Sequence, residues 1–201
     1  MKLIYTNASP YARKVRIAAQ ETGQTLDLAY DHPTAEDSGV PAVNPLGKVP
    51  ALVLDDGRVI VDSPVICEFL DQNGRQPTLV PPMGPDRIRV LTLQAIADGI
   101  MDATVACVLE TRRDPGEQSP YWLDRWEAAI RRTLPVLETE VLTQDTFHLG
   151  VISGVCALHY LDFRFPEKNY LAEHPRLRKW LGTYAERASV AETMPFDGPS
   201  H

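Results

Sequence analysis

The chain has 201 residues, of which 44% are hydrophobic and 23% are charged, and its formal net charge is −7. This length allows one large or two small domains, because domains usually contain about 100–200 residues. The negative net charge argues against a nucleic acid as the main partner, since polyanions bind to basic surfaces.

The cysteines and histidines predict neither a disulfide framework nor a metal site. Cys67, Cys107 and Cys156 lie far apart in apolar helical segments. An odd number of cysteines at wide spacing indicates buried thiols in a reducing compartment. The five histidines show none of the short spacings that are typical of zinc ligands, so we predict no metal.

The start of the chain and its apolar runs predict neither export nor membrane insertion. Residues 1–5 are too short to be the apolar core of a signal peptide. No apolar run approaches the ~18 residues that a membrane span needs. We therefore expect a cytoplasmic protein that has no membrane partner.

The first 30 residues predict a strand, a helix and a second strand. Residues 3–5 predict a short strand, residues 10–22 a helix, and residues 26–30 a second strand. Ser9 is the predicted N-cap of the helix, and Pro10 is its first residue. The long connection between the two strands is typical of a βαβ unit.

Ser9 has two interpretations. In the first it only caps the helix, as serine often does. In the second its hydroxyl donates a hydrogen bond to a ligand thiolate, helped by the positive end of the helix dipole. The basic residues that follow, Arg13, Lys14 and Arg16, predict a solvated helix face rather than a ligand site.

The dipeptide Val49-Pro50 is the strongest local sign of a ligand site. Pro50 precedes an apolar strand pattern and has no N–H for a sheet ladder, so it belongs at the start of a strand. A cis bond before Pro50 would turn the backbone of Val49 outward and leave its N–H and C=O free. Such a pair can bind an extended peptide, so a small peptide is a candidate ligand.

The next elements are a hairpin and a capped helix. Residues 52–54 and 59–61 flank an Asp-Gly turn, which predicts an antiparallel hairpin. Asp62 and Ser63 then begin a helix over 63–70, whose free N–H groups suit a carboxylate. The alternative is that both residues only cap the helix. The predicted order, βαβ then ββα, is that of a thioredoxin-like domain.

The rest of the chain is a linker and a run of helices. Residues 72–85 contain four prolines and two glycines, which predicts a linker. From residue 86 onward the pattern is helical, and a nearly all-apolar helix over 149–165 is the expected core. We predict domains at 1–75 and 86–201, joined by a linker over 76–85.

Four segments of the chain resemble the glutathione S-transferases. They are residues 9–11, 44–52, 62–63 and 157–166, and the likeness covers essentially the whole chain. It is greatest to small bacterial members with a serine at the start of the active-site helix. The resemblance implies an α/β N-terminal thioredoxin-like domain (βαβ-ββα), an all-α C-terminal helical domain and a homodimer.

The resemblance also implies roles for residues at a glutathione site. Ser9 would stabilise the glutathione thiolate. Val49 would pair with the cysteinyl backbone, just before a cis peptide bond at Pro50. Asp62 and Ser63 would hold the γ-glutamyl end of the tripeptide.

Further candidates lie near these residues or in the helical domain. Lys48 belongs to the same segment of the proposed glutathione site. Asp98 lies where relatives often have a carboxylate near the glutathione amino group, and a solvated carboxylate is the alternative. Tyr11, Val105 and Arg112 are candidates for the site of the second substrate, where an arginine could receive anionic groups. For these three residues, helix packing or a solvated helix end is the alternative.

Two features of the helical domain depart from the family pattern. Relatives often have a capping box at the start of the core helix, but here the matching residues are His148 and Val151. We therefore expect neither of the reciprocal hydrogen bonds to form. Pro135 interrupts a helical pattern and predicts a kink or a split in that helix.

These observations predict a glutathione transferase with a role in detoxification. It would bind glutathione as a co-substrate, with no cofactor, and add the thiolate to an electrophilic small molecule. The alternative is a non-catalytic glutathione- or protein-binding module with the same fold, since function depends on the site and not on the fold.

Overall fold

The computed structural model describes residues 1–75 and 78–199, and the chain forms two compact units. The first unit contains Met1–Pro82 and Glu186–His201, and the second contains Met83–Ala185. The first unit is therefore built from both ends of the chain.

This division differs from the predicted domains at 1–75 and 86–201. The last segment of the chain packs with the first unit, although its sequence continues the helical pattern of the second. Within the predicted linker over 76–85, Gln76 and Pro77 lie outside the described residues.

A four-stranded sheet is the centre of the first unit. Its elements are β1 (Lys2–Tyr5), α1 (Pro10–Glu21), β2 (Asp27–Tyr30), α2 (Val40–Val43), β3 (Ala51–Val53), β4 (Val59–Ile60) and α3 (Ser63–Asn73). The strand order is β2-β1-β3-β4, in which β1 is parallel to β2 and antiparallel to β3. β4 is antiparallel to β3. The predicted βαβ-ββα fold is confirmed, with α2 as an additional short helix.

Apolar side chains from the sheet and its helices form the core of this unit. Leu3 on β1, Ile17 on α1 and Ile66 on α3 are fully buried, and α1 packs against α3. Burial of side chains of this size contributes ~1.5–3 kcal/mol each to stability. The helices are thereby held against the sheet.

The second unit is helical, as predicted. Its helices are α4 (Pro85–Thr111), α5 (Pro120–Val141), α6 (Leu149–Arg164) and α7 (Pro175–Gly182). Short 3₁₀ turns lie at Pro115–Glu117, Pro166–Lys168 and Tyr170–Glu173. The remaining helix, α8 (Ala188–Ala191), lies in the terminal segment that belongs to the first unit.

Helix α6 is the buried core of the second unit, and a glycine sets how closely it approaches α4. A Cβ atom at Gly150 would lie 2.8 Å from the carbonyl oxygen of Val90 and 2.9 Å from Cβ of Leu93. Real Cβ atoms do not approach backbone so closely, so only glycine fits this crossing. Phe165 ends α6, because Pro166 follows it and cannot continue the helix.

Helix α4 is long and apolar enough to cross a membrane, judged by its length and composition alone. This differs from the expectation that no apolar run approaches the length of a membrane span. Half of the apolar window is buried inside the fold, where α4 packs against α5 and α6. A buried core helix meets the same criterion.

The prediction of a solvated basic face on α1 is wrong. Arg13 is 2% exposed and Lys14 is fully buried. The guanidinium of Arg13 donates hydrogen bonds to the carbonyl oxygen of Val190, at 3.1 Å, and to Oγ1 of Thr193, at 3.3 Å. The terminal segment covers this side of α1, and no local sequence pattern indicates a contact over so long a separation.

Pro135 does not split its helix, and the kink that the sequence gives as the other possibility stays a prediction. Helix α5 continues through Pro135 to Val141. Thr139 lies one turn further along the helix, and its hydroxyl donates to the carbonyl oxygen of Pro135 at 3.0 Å. A proline in mid-helix removes one backbone hydrogen bond, and here the remaining helical bonds and the packing of α5 on α4 hold the helix together.

His148 caps α6, contrary to the prediction that neither bond of a capping box forms. Its Nδ1 accepts a hydrogen bond from the N–H of Val151 at 3.3 Å, and its Nε2 lies 2.8 Å from Oε1 of Gln144. Because the Gln144 oxygen only accepts, Nε2 carries the proton and the imidazole is neutral. Burial lowers the pKa of His148, which agrees with a neutral ring.

We predict that Arg13→Met destabilises the protein. The substitution removes the hydrogen bonds that a buried guanidinium donates to Val190 and Thr193, which should lower the free energy of unfolding by about 1.5–3 kcal/mol. Urea denaturation measures this loss. Arg58→Met is the control, because the Arg58 side chain is 76% exposed and should contribute little. Equal losses in the two variants would contradict the assignment.

A second prediction concerns pH. The pKa of His148 is lower in the folded chain than its ordinary value of 6.5, so below that pH the unfolded chain binds the proton more readily. The stabilisation by the neutral cap is therefore present above about pH 6.5 and lost as the pH falls. His148→Ser keeps a cap acceptor without this titration, and its unfolding free energy should depend less on pH between 7 and 5. His148→Ala should lose about 1 kcal/mol at pH 7.

The exposed residue His32 provides the control for the pH measurement. His32→Ser should keep the pH dependence of the unmodified chain. If the unfolding free energy depends equally on pH in His148→Ser and in the unmodified chain, a group other than His148 causes that dependence.

Candidate functional site

The strand register brings three loops of the first unit to one edge of the sheet. Ile4 of β1 pairs with Ala51 of β3, and Leu52 of β3 pairs with Ile60 of β4. Because β3 runs antiparallel to both neighbours, its start lies beside the ends of β1 and β4. The loops at these three strand ends are therefore neighbours.

These three loops carry five of the predicted site residues. Ser9 follows β1 at the start of α1, Val49 and Pro50 precede β3, and Asp62 and Ser63 follow β4 at the start of α3. Residues more than 50 positions apart in the chain thus lie along one edge of the sheet. The edge also receives the N-terminal ends of two helices, α1 and α3, and such ends suit negative charge.

Ser9 is the N-cap of α1 and is half-buried. Its Oγ accepts a hydrogen bond from the N–H of Ala12 at 3.2 Å. Its own N–H donates to the carbonyl oxygen of Thr6 at 3.2 Å, which closes a tight turn after β1. The cap uses the hydroxyl only as an acceptor, so its proton can still be donated to a ligand.

The peptide bond between Val49 and Pro50 is cis. Pro50 is buried, and the half-buried side chain of Val49 packs against a cluster that contains Ile4 and Ala51. The backbone of Val49 lies outside the strand ladder and takes part in none of the turn and loop hydrogen bonds among the described residues. It can therefore pair with an extended ligand.

Asn44 shapes the loop before Val49, although the sequence did not single it out as a functional residue. It is 2% exposed, and its Nδ2 donates to the carbonyl oxygen of Lys48 at 2.7 Å. Its Oδ1 accepts from the N–H of Leu46 at 3.0 Å, which is an Asx turn. An asparagine before Pro-x-Gly is the local signal of such a turn. The side chain of Lys48 is exposed.

Asp62 caps α3 and stays exposed. Its Oδ1 accepts a hydrogen bond from the N–H of Ser63, and its carbonyl oxygen accepts the first helical bond from Ile66 at 3.0 Å. The carboxylate thus lies at the rim of the helix start, where it can also attract a cationic group.

Ser63 is the most unusual polar residue of this edge. It is 1% exposed, and its hydroxyl has no hydrogen-bond partner within residues 1–75 and 78–199. A buried hydroxyl without a partner costs ~1–3 kcal/mol. Because Ser63 is the first residue of α3, its hydroxyl and the free N–H groups of the helix start together suit one carboxylate.

The other predicted site residues divide between the two units. Tyr11 lies in the first turn of α1 and is half-buried. Asp98 and Val105 are half-buried on α4, and the exposed Arg112 ends that helix. Asp98, Val105 and Arg112 therefore belong to the second unit, and Tyr11 to the first.

The cysteine thiols do not provide a surface nucleophile. Cys67, Cys107 and Cys156 are all buried, and burial raises the pKa of the Cys107 thiol. Among the residues that the structure describes, no three His, Cys, Asp or Glu side chains are grouped to hold a metal ion. The polar groups at the sheet edge suit a peptide ligand with a carboxylate better than a metal.

Comparison with known sequences finds a matching family model and relatives that align over nearly the whole chain. Residues 8–73 match the family model of the glutathione S-transferase N-terminal domain. Over 199 residues the chain is 37% identical to the uncharacterized GST-like protein YibF of Escherichia coli (strain K12). That alignment covers 97% of this chain and 98% of the relative.

Two solved structures are similar over nearly their whole length. A glutathione transferase family member from Pseudomonas fluorescens Pf-5, with bound glutathione, has a TM-score of 0.91 and 42% identity. The match covers 98% of this chain and 99% of that one. A glutathione S-transferase from Methylobacillus flagellatus KT, with glutathione bound, has a TM-score of 0.93 and 34% identity, over 97% and 99% of the chains.

Proposed function

The chain belongs to the glutathione S-transferase family, and we propose that it is a glutathione transferase that activates the glutathione thiol for addition to an electrophilic small molecule. The observation that carries the proposal is the buried Ser63 hydroxyl, which has no partner in the described chain and lies at a helix start. The γ-glutamyl carboxylate of glutathione is the acceptor that this hydroxyl lacks.

In this proposal three segments hold one tripeptide. Ser63 donates a hydrogen bond to the γ-glutamyl carboxylate, at the positive end of the α3 dipole. Asp62 attracts the amino group beside that carboxylate. The backbone of Val49, before cis-Pro50, pairs with the cysteinyl residue like an added strand, with Lys48 next to it.

The proposed catalytic residue is Ser9. Its hydroxyl donates a hydrogen bond to the glutathione sulfur and thereby favours the thiolate, while the thiol proton passes to water. Lowering a thiol pKa by one to two units raises the thiolate fraction at neutral pH by about tenfold to a hundredfold, or roughly 1.4–2.8 kcal/mol. The thiolate then forms a C–S bond with the electrophile, and a leaving group departs with the electron pair.

We propose further roles for residues outside this edge. Asp98 is a candidate for a second contact with the glutathione amino group. Tyr11, Val105 and Arg112 are candidates for contacts with the electrophile, and Arg112 would receive an anionic group. We also propose that the protein acts as a cytoplasmic homodimer in detoxification, without a cofactor or a metal.

The second candidate function is a glutathione- or protein-binding module without useful turnover. It uses the same binding residues but leaves the bound thiol unactivated. The pKa of the bound glutathione thiol separates the two functions. A lowered pKa supports catalysis, and an unchanged one supports the binding module.

We predict that Ser63→Ala weakens glutathione binding without destabilising the free protein. Loss of a hydrogen bond to a carboxylate should reduce affinity by about 1–3 kcal/mol, measured by calorimetry. The unliganded variant should be at least as stable, because the substitution removes a buried hydroxyl that has no partner in the described chain. If the unmodified protein gives no heat with millimolar glutathione, both functions are wrong.

Ser153 offers a matched control for this variant. Its hydroxyl is also buried and without a partner in the described chain, but it lies within α6 of the second unit. Ser153→Ala should leave glutathione affinity unchanged. An equal loss of affinity in both variants would mean that removal of any such hydroxyl disturbs the site indirectly.

We predict that Ser9→Ala lowers turnover with an activated aryl halide and raises the pKa of the bound glutathione thiol. The variant removes one donor to the thiolate, so a tenfold to hundredfold loss of thiolate at neutral pH is expected. Ultraviolet absorbance of the thiolate against pH measures the pKa directly.

Ser119→Ala controls for the loss of a helix cap. Ser119 caps α5 through a hydrogen bond from Trp122 and is followed by a proline, as Ser9 is. Both variants should lose a similar amount of stability, but only Ser9→Ala should raise the pKa of the bound glutathione thiol. Unchanged turnover and an unchanged thiol pKa in Ser9→Ala would show that Ser9 acts only as a helix cap.

A further inference from the structure

The terminal segment of residues 186–199, here called the C-terminal strap, is attached to α1 near both ends of the helix. At the C-terminal end of α1, the guanidinium of Arg187 forms an ion pair with Glu21, and the hydroxyl of Ser189 donates to the same carboxylate. Near the N-terminal end of the helix, Arg13 donates to Val190 and Thr193. The strap thus belongs to the helix that begins at Ser9.

At its far end the strap also reaches the loop that precedes Ser9. Nδ2 of Asn7 donates a hydrogen bond to the carbonyl oxygen of Gly198 at 3.0 Å. Oδ1 of the same amide accepts from Nη1 of Arg16 at 3.4 Å, and the Arg16 guanidinium lies 5.3 Å from the centre of the Tyr5 ring. The Asn7 amide is therefore held at both of its polar ends.

Asn7 is 1% exposed, and its hydrogen bond to Gly198 is partly buried. Only one residue separates Asn7 from Ser9, and the N–H of Ser9 donates to Thr6 at 3.2 Å. A shift of the Asn7 side chain therefore moves the backbone that carries the Ser9 hydroxyl. Placement errors of about 1 Å in a catalytic group can reduce rates substantially.

We propose that Asn7 is a positioning residue, and that its hydrogen bond to Gly198 of the C-terminal strap holds the loop of residues 6–9 so that Ser9 stays aimed at the bound sulfur. This inference rests on the proposed function. It extends the site from the sheet edge to the end of the chain. Asn7 acts only through Ser9 and does not itself touch glutathione.

The positioning role of Asn7 can be tested apart from the stability of the first unit, because other contacts also attach the strap. Arg13 and Glu21 fasten the strap to α1 without any contribution from Gly198. A chain that ends at Phe196 keeps both of those attachments and loses the bond to Asn7. A chain that ends at Pro199 keeps Gly198 and is the matched control for shortening.

The experiment compares four proteins: the full chain, the chain that ends at Phe196, Asn7→Ala, and the combination of the last two. Turnover with an activated aryl halide, the pKa of the bound thiol and the dissociation constant of glutathione are measured for each. We expect each single change to lower kcat by roughly threefold to tenfold and to raise the thiol pKa. The dissociation constant should change less than twofold, because Val49, Asp62 and Ser63 are intact.

The combined variant tests the bond itself. If Asn7 and Gly198 act through one hydrogen bond, losing both partners should lower kcat no more than the larger single effect. If the loss of kcat in the combined variant equals the product of the two single losses, Asn7 and Gly198 act independently and the proposal is wrong. Unchanged kcat and thiol pKa in the chain that ends at Phe196 would also overturn it, as would an equal effect in the chain that ends at Pro199.

Amide hydrogen exchange of residues 6–9, measured without ligand, separates failure of this inference from failure of the proposed function. Faster exchange in the chain that ends at Phe196 than in the full chain supports the anchoring of the loop. If the full chain binds no glutathione, the proposed function and the positioning role of Asn7 in it both fail, whatever the exchange. If glutathione binds but exchange and thiol pKa stay unchanged, only the role of Asn7 fails.

Discussion

The antiparallel pairing of β3 with both β1 and β4 is the constraint on which the candidate site at the sheet edge depends. Ala51 and Leu52 of β3 are fully buried, so a slip of one residue would turn the alternating side chains of β3 to the wrong faces of the sheet. The register therefore has one stable solution. That solution places the start of β3 next to the ends of β1 and β4, and it brings Val49, Ser9 and Ser63 to one edge.

The buried polar side chains of the first unit differ in whether they have hydrogen-bond partners. Arg13 and Asn7 are buried, and each has hydrogen-bond partners within the unit. Ser63 is equally buried, yet its hydroxyl has no partner in the described chain. The proposed function assigns the missing contact to a ligand carboxylate, because Ser63 lies at the start of α3, whereas the equally unpartnered Ser153 lies within α6.

Several conclusions from the sequence were correct because they depended on local chemistry. The caps at Ser9 and Asp62, each followed within two residues by a proline, begin helices as predicted. The sequence missed the cap at His148, because imidazole is an uncommon acceptor at a helix start and its partner Gln144 lies outside the capping-box pattern. The split predicted at Pro135 does not occur, since tertiary packing can hold a helix that has lost one hydrogen bond.

The sequence by itself determined the alternation of strands and helices in the first unit, the helical second unit and the two capped helix starts at Ser9 and Asp62. These follow from periodicity, turn chemistry and capping, which act between near neighbours. Only the tertiary structure decided that Arg13 is buried, that Ser63 lacks a partner in the described chain, and that the C-terminal strap joins the first unit. Arg13 and Val190 are 177 positions apart, and a contact at that separation depends on how the whole chain packs.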